Sequence, residues 1–243
     1  MSEALFQHGG LRFWHEREIR LREHVIAELA AAVRDTLTRE WAMYRVEGPI
    51  LHPRDQISPS YDDGDIFVTN HKGWCLRAET TPSSYAYARW MMKRGAGLPL
   101  CIWQAGISSR RETNDGASAA KLRFNSFWQI EFQCIVPLAE KRRDGALRGK
   151  LIEACRPVVE RVTMADIRVV DSDRLPSYSE STRDIEVRLA NDWREVASCS
   201  IRTDFSPDTR VVEMAFGLDR LVTIAGLGEA KWLTTRASQV HGN

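Results

Sequence analysis

Two hydrophobic periods alternate along this chain. Between residues 11 and 39, Ile19, Val25, Ile26, Leu29, Val33 and Leu37 recur at three- and four-residue steps among charges, which predicts a long amphipathic helix. Residues 43–51 and 64–78 alternate as strands do, with Gly64 and Gly73 marking turns. A helix is predicted over 82–94, opening on Pro82 at a favoured first-turn position. Residues 100–107 read as a short strand and 122–136 as a long one, joined by the polar hairpin loop Thr113–Lys121. Residues 141–149 read as a charged, solvated connector and 146–161 as a helix. Residues 183–189 and 193–203 read as paired strands turning at Asn191-Asp192. Arg210–Glu213 leads into a helix whose start holds Gly217 and Arg220, and the last fifteen residues read as a loose end. Strands dominate after one leading helix. The pattern predicts an α+β fold with a largely antiparallel sheet and helices packed outside it.

Length and composition add bounds. At 243 residues the chain fits one domain, 1–243, with a substantial core. A net charge of +1 argues against broad, non-specific nucleic-acid binding but leaves room for a local basic face. Five scattered cysteines without a Cys-x-x-Cys pair suggest reduced thiols rather than zinc or disulfides. The N-terminus carries no charged-then-apolar leader and no apolar run approaches about 18 residues, so a cytoplasmic protein without membrane contact is expected.

The chemistry concentrates in two segments. Gln104-Ala-Gly-Ile-Ser-Ser-Arg-Arg-Glu112 is followed by Phe127, and Glu213-Met-Ala-Phe-Gly-Leu-Asp-Arg220 stands near the C-terminus. Two arginines far apart in sequence can meet phosphates from opposite sides, because a guanidinium stays charged and offers a planar fork. A glutamate can accept from the adenine amino group, and a phenylalanine can stack on the base. The ordered set suits ATP attacked at its α-phosphate.

That set resembles the catalytic core of class II aminoacyl-tRNA synthetases, most closely the dimeric glycyl-tRNA synthetase type. The resemblance covers roughly residues 10–225. Residues 41–51 are similar to the family's motif one, with Pro49 at a dimer interface. Leu76-Arg-Ala-Glu-Thr-Thr-Pro82 is similar to its Leu-Arg-Pro-Glu-Thr segment, with Ala78 in place of proline. Residues 104–131 resemble motif two and 213–222 motif three.

The resemblance implies roles residue by residue. Arg110 and Arg220 would be catalytic, holding the α- and other phosphates. Glu112 would receive the adenine amino group and Phe127 would stack under the ring. Arg123, Phe124, Glu195 and Val196 would complete the ATP site, with Glu195 holding Mg²⁺ and Glu186 its rival. Arg111 should point to the other face of its strand. Glu79, Glu131 and Glu213, with Ala215, would surround the ammonium of a small amino acid, glycine favoured. Such a cage gathers repelling acids that stabilise little until a cation arrives.

Some positions depart from the family. Its Glu-Pro-Ser in motif three is Glu213-Met214-Ala215, Ser109 replaces a bulky residue, and Asn125-Ser126-Phe127 stands for Arg-Glu-Phe. The motif-two loop lacks a Pro-Arg pair. Only 23 residues follow Arg220, too few for an anticodon-binding domain, which is expected to be missing. The sequence therefore implies a homodimer, through the motif-one region, that activates an amino acid with ATP and Mg²⁺. Transfer to a tRNA acceptor end, a carrier-protein acceptor, and a non-catalytic dimeric binding protein remain the alternatives beyond that step.

Overall fold

A computed structural model describes residues 7–8, 11–112, 121–140 and 142–227. The loop expected at 113–121 falls almost wholly outside the described residues, as does the expected C-terminal loose end. Two short pieces, β1 (Gln7–His8) and β2 (Leu11–Arg12), pair ahead of the helix α1 (Glu16–Thr36). The helix is thus shorter than the 11–39 read from periodicity. Its opening is fixed by Glu18, whose carboxylate accepts the His15 backbone N–H at 3.2 Å. The buried stripe is Leu21, Val25, Leu29 and Val33, with Arg22, Ile26 and Ala30 beside it, whereas Ile19 is exposed.

After α1 come β3 (Ala42–Arg45), β4 (Leu51–Pro53), β5 (Trp74–Leu76) and α2 (Thr81–Lys93). The strands expected over 43–51 and 64–78 are therefore much shorter, and most of 54–73 is irregular. Here the alternation reflects side chains tucked singly under a loop, such as Ile57 and Ile66, rather than a ladder. The strands β6 (Leu100–Ser109) and β7 (Ser126–Pro137) form the long hairpin expected, and α3 (Arg142–Thr163) follows. The charged stretch 141–149 is mostly the first turns of α3, not a connector; the helix buries Asp144 there and Leu151, Ile152 and Cys155 further on. Next are β8 (Ile167–Asp171), β9 (Ser179–Leu189), β10 (Asp192–Arg202), β11 (Thr209–Gly217) and α4 (Leu218–Leu227).

Seven strands form one sheet in the order β3-β6-β7-β11-β10-β9-β8, antiparallel except for the parallel β3–β6 pair. The expected α+β class with a largely antiparallel sheet is what the chain adopts. Alternation along each strand assigns the two faces. On one face Trp103, Ile130, Phe132, Met214, Phe216, Cys199 and Ile185 meet α1, α3 and α4 in the main core. On the other, α2 covers one end through Tyr85, Ala88, Leu100, Ile102 and Ile135. The rest of that face carries polar side chains.

The sheet edge near β3 is braced by Arg77. Its side chain, 3% exposed, donates to the carbonyls of Ile107 at 2.7 Å, Gly48 at 3.0 Å and Pro49 at 3.1 Å. Gly106 makes room for it, since a Cβ there would lie 2.3 Å from the Arg77 guanidinium. Among the described residues, no helix is long and apolar enough to cross a membrane.

Candidate functional site

The polar face of the central strands is built by register. Gln129, Glu131 and Gln133 alternate with core residues on β7, and Glu213 and Ala215 do so on β11. The register sets Gln104 beside Glu131, Glu131 beside Ala215, Gln133 beside Glu213, and Glu213 beside Ser200. These rows floor a cavity of about 630 Å³. Loop 54–73 supplies Tyr61 to its wall, the segment after β8 supplies Tyr178, and the start of α4 supplies Arg220.

At one end lie the three acids expected to surround an ammonium. Glu79, Glu131 and Glu213 are 4%, 4% and 6% exposed, and all three line the cavity. Glu131 accepts from the hydroxyls of Thr80 at 2.5 Å and Thr81 at 3.1 Å, and from the Gln129 amide at 2.7 Å. Burial, together with Glu213 and Glu79, pushes its carboxyl up to about 8. Burial also raises Glu79, against the pull of Arg202. Glu213 accepts from the Gln133 amide and from the Arg202 guanidinium, both at 2.7 Å.

Arg202 corrects the expectation of an uncompensated cage. Its side chain is fully buried, pairs with Glu213 at 2.7 Å, Asp204 at 2.7 Å and Glu79 at 3.5 Å, and lies 3.9 Å from the Tyr178 ring centre. A resident cation thus already neutralises part of the acid cluster. Sequence reasoning missed Arg202, Tyr61, Tyr178, Thr80 and Thr81. A signal existed for the first: Ser198, Ser200 and Arg202 alternate with the buried Ala197, Cys199 and Ile201, so they share the polar face.

The other end holds the residues expected at the nucleotide. Arg110 sits between the rings of Tyr61 and Phe127, 5.2 Å from each centre, and its Nε donates to the Ala78 carbonyl at 3.0 Å. Surrounding tyrosines and glutamates hold its guanidinium firmly charged against its own burial. Glu112 does not pair with it. Its carboxylate faces Arg123 at 3.5 Å, and its backbone N–H donates to the Asn125 side chain at 2.9 Å. Arg111 is exposed, donates to the Asp63 carbonyl at 3.4 Å and does not line the cavity.

Arg220 donates to the carbonyls of Glu195 at 2.8 Å and Leu122 at 3.3 Å. Its side-chain stem passes Gly217, where a Cβ would meet Arg220 Cδ at 3.3 Å. Arg123, Phe124, Phe127, Val196, Glu195 and Ala215 also line the cavity. Every residue expected at the site therefore reaches one concavity. Glu186 does not, and instead pairs with Arg168 at 2.6 Å on the sheet's far side strands.

Among the described residues no group of three or more His, Cys, Asp or Glu could hold a metal by itself. Magnesium asks for less, since it keeps waters and is held by one or two carboxylates plus substrate phosphates. Glu195 at the cavity rim, 3.4 Å from Arg220, supplies one such carboxylate, and Asp184 lines the same wall.

No protein-family model matches the sequence, and none of the curated proteins does. Solved structures share its fold. Prolyl-tRNA synthetase from Cryptosporidium parvum, complexed with halofuginone and AMPPNP, superposes with a TM-score of 0.73 at 12% identity over 92% of this chain and 49% of that one. The same enzyme with L-proline and AMP gives 0.72 at 12% identity, over 92% and 50%. Cytoplasmic serine-tRNA ligase from Naegleria fowleri in complex with AMP gives 0.68 at 15% identity, over 89% and 50%. The chain spans about half the length of these structures, and its fold is that of the class II aminoacyl-tRNA synthetase catalytic core.

Proposed function

We propose that this chain condenses ATP with a small amino acid, glycine favoured, into an aminoacyl-adenylate, and that the activated acyl group then passes to a tRNA end or another acceptor. The observation that carries this reading is one cavity with a cationic, aromatic end and a buried acidic end. The solved structures of the same fold contain AMP or AMPPNP, which supports ATP as the nucleotide.

The chemistry needs no protein nucleophile. The amino acid's carboxylate attacks the α-phosphorus in line, the new C–O–P bond forms as the bond to the β-phosphate oxygen breaks, and pyrophosphate leaves. The protein's part is positioning and charge stabilisation. Arg110 would hold the α-phosphate and the attacking carboxylate, and Arg220 would meet the phosphates from the α4 side. Phe127 would stack beneath adenine, with Glu112 accepting from its amino group. Arg123, Phe124 and Val196 would line the nucleotide. Glu195 would hold Mg²⁺ against the phosphates, where the ion's charge offsets theirs.

Glu79, Glu131 and Glu213 would bind the substrate ammonium, with Ala215 beside them. Arg202 cancels part of the cluster's charge, which suits a ligand with a single ammonium. The region of residues 41–51, on β3 and the start of β4, would also pair two copies. Tyr44, Ile50 and Leu51, 37%, 38% and 43% exposed, crowd the motif-one edge and would be covered in a homodimer. Pyrophosphate exchange with ATP, run across the twenty amino acids, tests the reading: exchange driven by glycine or another small amino acid is expected, and no exchange with any of them would refute it.

A further inference from the structure

We propose that Arg12, in the short β2 strand ahead of the first helix, is the positioning residue for the nucleotide end of the cavity. This inference rests on the proposed ATP site. Arg12 is remote in sequence from every residue assigned there, and its side chain is fully buried.

Its contacts converge on two of the chain segments that carry the nucleotide residues, 123–128 and 219–223. One terminal nitrogen donates to the Asp219 carbonyl at 2.8 Å, to the Asp219 carboxylate at 3.3 Å and to the Thr223 hydroxyl at 3.0 Å. Asp219 immediately precedes Arg220. The other Asp219 carboxylate oxygen accepts the Trp128 backbone N–H at 2.5 Å, directly after Phe127. The guanidinium also lies 5.7 Å from the ring centre of Phe124, directly after Arg123. The three cavity residues Arg220, Phe127 and Arg123 are therefore each one residue from an atom that Arg12 holds, directly or through one carboxylate.

Arg12 is itself fixed. Its second terminal nitrogen pairs with Glu18 of α1 at 2.8 Å, and Trp14 lies 3.8 Å beneath it. Arg22 of α1 braces the same layer, 5.0 Å from Trp14 and 3.8 Å from Trp128. Burial pushes the Asp219 carboxyl up to about 6, against the pull of the Arg12 guanidinium beside it. Without Arg12 a buried acceptor loses its counter-charge, and the turn into α4 can shift relative to β7. Phosphate clamps tolerate little of that, since a displacement of about 1 Å at a reacting centre can cost about a hundredfold.

Calorimetric titration of ATP into the full chain tests this, with melting temperature recorded for each variant. Arg12→Ala should weaken ATP binding by at least about tenfold, and Arg12→Lys should recover part of that loss. Val25→Ala, a truncation in the core face of α1 away from the cavity, controls for simple destabilisation. In exchange assays the KM for ATP should rise in Arg12→Ala while the KM for the amino acid stays within about twofold. Arg12→Ala binding ATP like the wild type, or Val25→Ala weakening ATP equally at a matched melting temperature, would overturn the inference and leave the ATP site standing. A wild-type chain that binds no ATP would remove the ATP site and this inference with it.

Discussion

Glu131 shows how much one side chain can report. Its carboxyl is pushed up to about 8 by burial and by two neighbouring acids, so near neutrality the free protein holds it largely protonated. A substrate ammonium favours the ionised form, so the amino-acid KM should fall as pH rises from 6.5 towards 8.5, measured by exchange. The same shift has a stability consequence. A carboxyl whose folded value lies above its ordinary one contributes stability that is complete below about 4.5 and lost as pH climbs through about 8. The substrate-free protein should therefore melt at progressively lower temperature across that window, and Glu131→Gln should flatten both profiles. An unchanged KM profile in Glu131→Gln would make Glu131 a structural residue only. The two arginines are simpler cases. On the proposed reading, Arg110→Ala and Arg220→Ala would each remove a charge-assisted contact to phosphate and should each cost at least ~2 kcal/mol of transition-state stabilisation, read as a fall in the exchange kcat/KM for ATP.

The elements set these side chains by packing more than by local preference. Strands β6, β7, β10 and β11 each turn one face to the main core, and that requirement fixes their register. The polar face then follows as the complement. Arg77 locks the neighbouring edge by satisfying three carbonyls from two segments. Arg77→Ala would take this donor from three partly buried carbonyls, at up to about 1–3 kcal/mol each. Gly106→Ala would force the guanidinium from its place and should cost about 1–3 kcal/mol by overpacking. Urea denaturation of both variants measures this, and a Gly106→Ala chain as stable as the wild type would show that the brace yields freely.

At the scale of the whole molecule, an apolar edge lies within residues 41–51. Ile50 and Leu51 follow one another there, with Tyr44 nearby on β3, all more than a third exposed. Covering such surface gains roughly 25 cal/mol per Å² of apolar area, and a two-fold pairing covers it on both copies at once. Light scattering at micromolar concentration should show a dimer, and Leu51→Glu should shift it towards monomer with loss of exchange activity. A stable, fully active monomer would count against the pairing and against a site supported across it.

The sequence by itself determined the fold class, which depends on local alternation along single elements. The family resemblance, not the alternation, picked out the arginines and the three acids that the structure places along one cavity. The sequence also pointed to the hairpin of 100–107 and 122–136, because two long alternating runs flank one polar loop. It misjudged 64–73, where alternation came from single side chains buried under a loop, and 141–149, where helical charges resembled a solvated connector. Only the tertiary structure decided that Arg202 sits inside the acid cluster and that Arg12 underlies the nucleotide end. Both depend on contacts between segments distant in the chain, Arg202 with Glu79 and Arg12 with Asp219. An arginine's long, flexible side chain leaves no periodic trace of where its charge will finish, and that place is set by which carboxylates the packed sheet and helices bring to it.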